Sequence, residues 1–192
     1  MRTRFRQIGA VGAFLLVSGF GGHFVHAQEP SAPQSAASVV KTKVYASLDP
    51  VARGKEFQVA VIVEIANGYH MNSHKPLDSY LIKTTLTPQL PAGFTQVEEI
   101  YPEGKNLKFP FSPDKPLNVY TGTVTLRLRL KAEEAAALGK TSIPITLRYQ
   151  ACNNSACLPP VKVPVTAEVE VAKAGATGHA LHPEVFAMKA TH

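Results

Sequence analysis

Val59, Val61, Val63 and Ile65 recur at every second position, with Ala60, Ile62 and Glu64 between them. Val124, Leu126, Leu128 and Leu130 alternate in the same way with Thr125, Arg127 and Arg129. Val161, Val163 and Val165 alternate with Lys162 and Pro164, and Val169 and Val171 continue against Glu168 and Glu170. A period of two belongs to an extended strand with one face packed inward and the other toward water. Further strands are predicted at 40–48, 80–87, 94–101 and 143–151. About seven or more such strands, broken by Gly, Pro and Asn, predict an all-β, immunoglobulin-like β-sandwich. One short helix is predicted at Lys131–Leu138 (KAEEAAAL), closed by Gly139 and bridging two strands.

Two segments are longer than a hairpin needs and are read as loops. One is Asn67–Ser79; the other is Tyr101–Asn118, with Pro at 102, 110, 113 and 116 and Phe at 109 and 111. Long ordered loops in a compact domain often carry function. The sequence has no internal repeat and no Gly-rich phosphate loop.

Arg2, Arg4 and Arg6 precede an apolar run from Ile8 to Phe20, and Val25 and Ala27 place small residues before a cleavage point. This is the layout of a secretory signal peptide over 1–27. The run falls short of the roughly 20 residues a membrane span needs. No later stretch is longer, so no integral span is expected in the mature chain. Residues 28–37, rich in Pro, Ser, Gln and Ala, read as a flexible leader. One domain over 38–172 follows, and 173–192 reads as a disordered tail. The net charge of +6 includes the three arginines of the signal peptide, leaving about +3 spread along the strands. That distribution gives nucleic-acid binding no support.

The two cysteines, Cys152 and Cys157, stand in the segment RYQACNNSACLPP. Asn153, Asn154 and Ser155 are turn formers, which brings the two sulfurs across the mouth of a turn. Exported compartments permit a disulfide there. A purely structural bridge is one reading. Closing a loop of six residues, however, stabilises by only about 2 kcal/mol, against about 4.7 for a loop of 100. A tight, accessible loop suits exchange with another protein's thiol better. A metal site joining the cysteines to His70 and His74 is a further alternative, although the cysteine spacing is wider than in common zinc sites. In that case His70 and His74 compete with a simpler role as loop hydrogen-bonders. No Gly-x-Ser-x-Gly motif or carboxylate pair supports hydrolysis.

YQACNNSACLPP, together with GYHMNSHKPLDSYLIKTTL and the YPEG and Tyr-Thr-Gly stretches upstream, resembles the N-terminal periplasmic domain of the thiol–disulfide interchange protein DsbD. The resemblance covers about residues 38–172. It implies an immunoglobulin-like domain in the periplasm that relays electrons between thioredoxin-fold partners, with no cofactor and no metal. Carried over by position, Cys157 forms mixed disulfides with partners and Cys152 resolves them. A cap loop with a Phe covers the disulfide in that family and moves aside for a partner; here Phe109 or Phe111 is the candidate. Tyr149 leads into the motif and either flanks the sulfurs or packs as a strand residue. Neither a membrane domain nor a thioredoxin-like domain follows, so the expected partners include a separate membrane reductant, and a monomer is expected. The alternative is a non-catalytic periplasmic binding module with a structural disulfide.

Overall fold

The computed structural model describes residues 35–186. The predicted signal peptide, most of the predicted leader and residues 187–192 lie outside the described residues. Seven strands come first: β1 (Val40–Ala46), β2 (Leu48–Asp49), β3 (Val51–Ala52), β4 (Glu56–Ile65), β5 (His70–Asn72), β6 (Thr85–Pro88) and β7 (Phe94–Ile100). Seven more follow: β8 (Lys105–Phe109), β9 (Ser112–Tyr120), β10 (Thr123–Ala132), β11 (Gly139–Tyr149), β12 (Ala151–Cys152), β13 (Val161–Ala172) and β14 (His179–Ala180). The short helix α1 (Pro183–Phe186) ends the described chain.

Two four-stranded sheets, β1-β4-β10-β7 and β3-β13-β11-β6, form the sandwich. The alternation read from the sequence sets their inner faces. Val59, Val61 and Val63 of β4 pair with Leu128, Leu126 and Val124 of β10. Ile143, Ile145 and Leu147 of β11 pair with Ala167, Val165 and Val163 of β13. Side chains from both sheets join one hydrophobic cluster, in which Val59, Leu126, Leu128, Ile143 and Leu147 are fully buried. The immunoglobulin-like, all-β expectation therefore holds.

The predicted helix at Lys131–Leu138 does not form. Lys131 and Ala132 instead complete β10, and the following residues turn back toward β11. Two helical turns carry too few hydrogen bonds to offset nucleation, while tertiary partners are at hand. The amide of Glu133 donates to the carbonyl of Gly93 at 2.8 Å, and Arg53 Nε donates to the carbonyl of Ala136 at 2.7 Å. Ala136 is buried in the core, and a Cβ on Gly93 would stand 2.5 Å from its backbone. Gly93 also has φ +83°, so only glycine suits this crossing.

Four other boundaries differ from the sequence reading. Tyr101–Asn118 is not a loop: β8 and β9 make a hairpin within it, with Leu107 opposite Leu117 and Phe109 opposite Ser112. β5 pairs with β9 only at Val119 and Tyr120, so Pro113 and Pro116 lie beyond the stretch where β9 has a partner on that side. Within Asn67–Ser79, His70–Asn72 is strand β5; in the predicted strand 80–87, only Thr85 onward is extended. The leader gives way to a 3-10 turn at Ala36–Val39, whose Ala36 and Val39 are buried.

The tail is ordered as far as Phe186 rather than disordered. β14 pairs with β2, the amide of Leu181 donates to the carbonyl of Ser47 at 2.9 Å, and Val185 is buried. Arg127 Nη1 also donates to the carbonyl of Phe186 at 3.2 Å. These backbone and side-chain bonds hold a segment whose composition alone carries no period.

Candidate functional site

A third sheet, β12-β5-β9-β8, sits at one end of the sandwich and carries the cysteines. β11 delivers the chain to β12, where Ala151 pairs with Met71 and Cys152 with His70. The loop after Cys152 is closed by its own turn chemistry. Asn153 Oδ1 accepts the amides of Ser155 at 2.8 Å and Ala156 at 2.9 Å, and the Asn153 amide donates to the carbonyl of Ala156 at 2.9 Å. Leu158 returns its amide to the carbonyl of Ala151 at 2.8 Å. Cys152 and Cys157 thus meet as an antiparallel bridge, with Cα atoms 3.9 Å apart and the sulfurs joined in a disulfide. The two ends differ sharply in exposure: Cys152 is fully buried, whereas Cys157 is exposed.

A polar clamp holds the strand ends behind the bridge. Gln150 Nε2 donates to the carbonyl of Leu158 at 3.2 Å, and Asn72 Nδ2 donates to the carbonyl of Ile82 at 3.1 Å. Thr84 Oγ1 donates to the carbonyl of Asn72 at 2.6 Å, which pins the chain leading to β6.

The hairpin of β8 and β9 folds its tip over this sheet. Phe109 stacks on His70 with ring centroids 3.9 Å apart and planes 16° apart. Phe111 lies 5.6 Å from Phe109 and 6.3 Å from His70, nearly parallel to both, and is 41% exposed. The three rings therefore join the hairpin tip to the strand paired with Cys152. Phe109 is the ring closer to His70 and Phe111 the outer one.

His70 is the residue whose place the sequence reading missed. It is buried on a strand rather than bonded in a loop, and its Nε2 finds no hydrogen-bond partner among the described residues. Burial alone pushes its pKa down to about 4, so the ring is neutral at ordinary pH. His74 faces elsewhere: it stacks on Tyr101 at 3.7 Å, and its Nδ1 lies 3.1 Å from the carbonyl of Thr84. Tyr101 Oη accepts the Leu86 amide at 2.8 Å, and burial holds its pKa well above the usual tyrosine value. Among the described residues, no three His, Cys, Asp or Glu side chains come together as a metal site.

Tyr149 is fully buried in the sandwich core, and its hydroxyl donates to the carbonyl of Ala36 at 2.8 Å. Burial raises its pKa to about 12. Its hydroxyl is thus committed to the N-terminal turn, the packing role rather than the flanking one.

An all-β sandwich that presents one exposed and one buried half of a short-loop disulfide is a thiol–disulfide exchange domain. The chain belongs to the family described as thiol:disulfide interchange protein DsbD, N-terminal, which matches residues 36–168. Among solved structures, it is similar to the reduced DsbD N-terminal domain of Neisseria meningitidis, at 20% identity and TM-score 0.40, covering 70% of this chain and 87% of that one. It is also similar to the N-terminal periplasmic domain of ScsB from Proteus mirabilis, at 13% identity and TM-score 0.45, covering 67% of this chain and 46% of that one. No curated protein matches the sequence. Among the described residues, no helix is long and apolar enough to cross a membrane.

Proposed function

We propose that the protein relays electrons between thioredoxin-fold partners in the periplasm through the Cys152–Cys157 pair. The observation that carries this reading is the contrast between an exposed Cys157 and a fully buried Cys152. A partner thiolate reaches only the exposed sulfur. Its attack forms an intermolecular disulfide at Cys157, and the electron pair of the broken bond leaves on Cys152, which takes up a proton. A second thiol from the partner then attacks the partner's own sulfur. This releases the reduced pair on this chain and leaves the partner oxidised. Run in reverse, Cys157 attacks a target disulfide and Cys152 displaces the reduced target. Thiol exchange requires no metal or organic cofactor.

Export through the signal peptide at 1–27 brings the domain to the compartment where such targets reside, with a separate membrane protein as reductant. Phe109, with Phe111 outside it, serves as the cover over the sheet that holds Cys152. Replacing both with Ala is expected to speed reduction of the disulfide by free glutathione about tenfold, a barrier lowered by about 1.4 kcal/mol. Thiol release followed by alkylation and mass measures the rate, and an unchanged rate removes the cover from the reading.

The relay itself is tested by the reduction potential of the pair, obtained by equilibration in defined dithiothreitol or glutathione buffers. The expected value lies between about −180 and −270 mV, where exchange catalysts operate. A value below about −300 mV belongs to structural bridges. It would overturn the relay in favour of a binding module.

A further inference from the structure

We propose that His70 Nε2 is the proton acceptor for the thiol of Cys152 when that residue resolves a mixed disulfide. The inference rests on the exchange reading above and assigns the proton that Cys152 must lose. Three observations meet at this position. His70 stands directly opposite Cys152 in the antiparallel pairing of β5 and β12. Residues so paired carry their side chains on the same face, with Cβ atoms roughly 4.5–5.5 Å apart. The imidazole is 2% exposed, and its Nε2 has no hydrogen-bond partner among the described residues. Phe109 covers one face of the ring at 3.9 Å.

A buried polar atom without a partner calls for an explanation, and a redox role is one. Here the disulfide supplies it. In the oxidised pair the Cys152 sulfur carries no proton, so a neighbouring acceptor has nothing to accept. In the reduced domain, and in the mixed disulfide at Cys157, Cys152 is a thiol and its S–H has an unpaired nitrogen across the strand. Burial keeps the ring neutral, with a pKa of about 4, so the nitrogen is available as an acceptor through the neutral range.

The lone pair of Cys152 Sγ forms the bond to Cys157 Sγ while its proton passes to His70 Nε2. The bond between Cys157 and the partner sulfur breaks, and its electron pair leaves on the partner as a thiolate. The imidazolium, unfavourable in its buried site, gives the proton to that thiolate or to solvent. Cys152 and Cys157 are oxidised by two electrons and the partner disulfide is reduced by two.

The reduced protein reacted with 5,5′-dithiobis(2-nitrobenzoate) separates the steps. A bimolecular first phase places thionitrobenzoate on Cys157, and a unimolecular second phase releases it as Cys152 resolves. His70→Phe keeps a ring against Phe109 without the nitrogen. It is expected to slow the second phase about 100-fold, the low end of acid–base contributions, and to leave the first within about twofold. His70→Gln, which restores an acceptor at about the same reach, is expected to recover most of the rate. The nitrogen resonance of His70 Nε2 in the unaltered protein should also shift on reduction, a readout that needs no variant. A second phase unchanged in His70→Phe, or an Nε2 resonance identical in both redox states, overturns the assignment. Failure of the reduced unaltered protein to release any thionitrobenzoate overturns instead the exchange reading on which it rests.

Discussion

Cys152→Ala is expected to turn the protein into a covalent trap, whereas Cys157→Ala should abolish exchange with protein thiols altogether. The difference follows from position. Cys157 lies exposed beyond the Asn153 turn, while Cys152 is fully buried in the strand pair with β5. A docking partner can reach the first sulfur without unfolding anything and cannot reach the second. With Cys152 gone, attack at Cys157 still forms the intermolecular bond, but no thiol remains on this chain to break it. Incubation of each variant with an oxidised thioredoxin-fold protein, followed by a non-reducing gel and mass of the adduct, reads the outcome. Turnover should fall to the uncatalysed background in both variants, with a stable adduct only for Cys152→Ala. An adduct that forms through Cys152 instead, with Cys157 replaced, would reverse the assigned roles.

Leu147→Ala carries the second large effect, this time on stability. Leu147 is fully buried on β11, between Val163 of β13 and Leu86 of β6. Removing a buried leucine side chain loses its transfer free energy and leaves a cavity, together about 2–5 kcal/mol. About 3 kcal/mol is expected, seen in urea as a lower midpoint with an unchanged slope. A loss below about 1 kcal/mol would mean that the two sheets close over the gap. Opening a loop of so few residues costs only about 2 kcal/mol, within the 5–15 kcal/mol by which domains are stable. On these magnitudes the core is expected to keep the fold when the disulfide opens, as the proposed relay requires.

The sandwich was legible in the sequence because its strands are amphipathic. β4, β10 and β13 show their inward faces as valine and leucine at alternate positions, and a period of two has few other physical readings. The cysteine pair was legible because Asn153, Asn154 and Ser155 announce a turn between the two thiols. The hairpin of β8 and β9 was hidden by its three prolines, 110, 113 and 116, and by a strand that has partners on both sides for only part of its length. The docking of 179–186 depends on bonds to Ser47 and Arg127, more than fifty residues away in the chain. The predicted helix failed because alanine-rich propensity is weak beside the carbonyl of Gly93 and a core site waiting for Ala136. The role of His70 was illegible for a related reason. A three-residue strand has no period to detect, and its pairing with Cys152 joins segments eighty residues apart.

The hairpin tip stands at the end of a lever. Leu117 is the last buried residue of β9 before the tip, and Pro113, Asp114 and Lys115 beyond it are exposed. The six residues from Leu117 back to Phe111 span at most about 20 Å, at roughly 3.3 Å for each residue, and the tip bends back far enough for Phe109 to reach His70. A tilt of about 10° at its root moves the end by at most about 3–4 Å over that length. The rings of Phe109 and His70 are stacked 3.9 Å apart. A tilt of that size is thus as large as the contact it would open, and in the proposed relay a docking protein that presses on the tip separates the two rings.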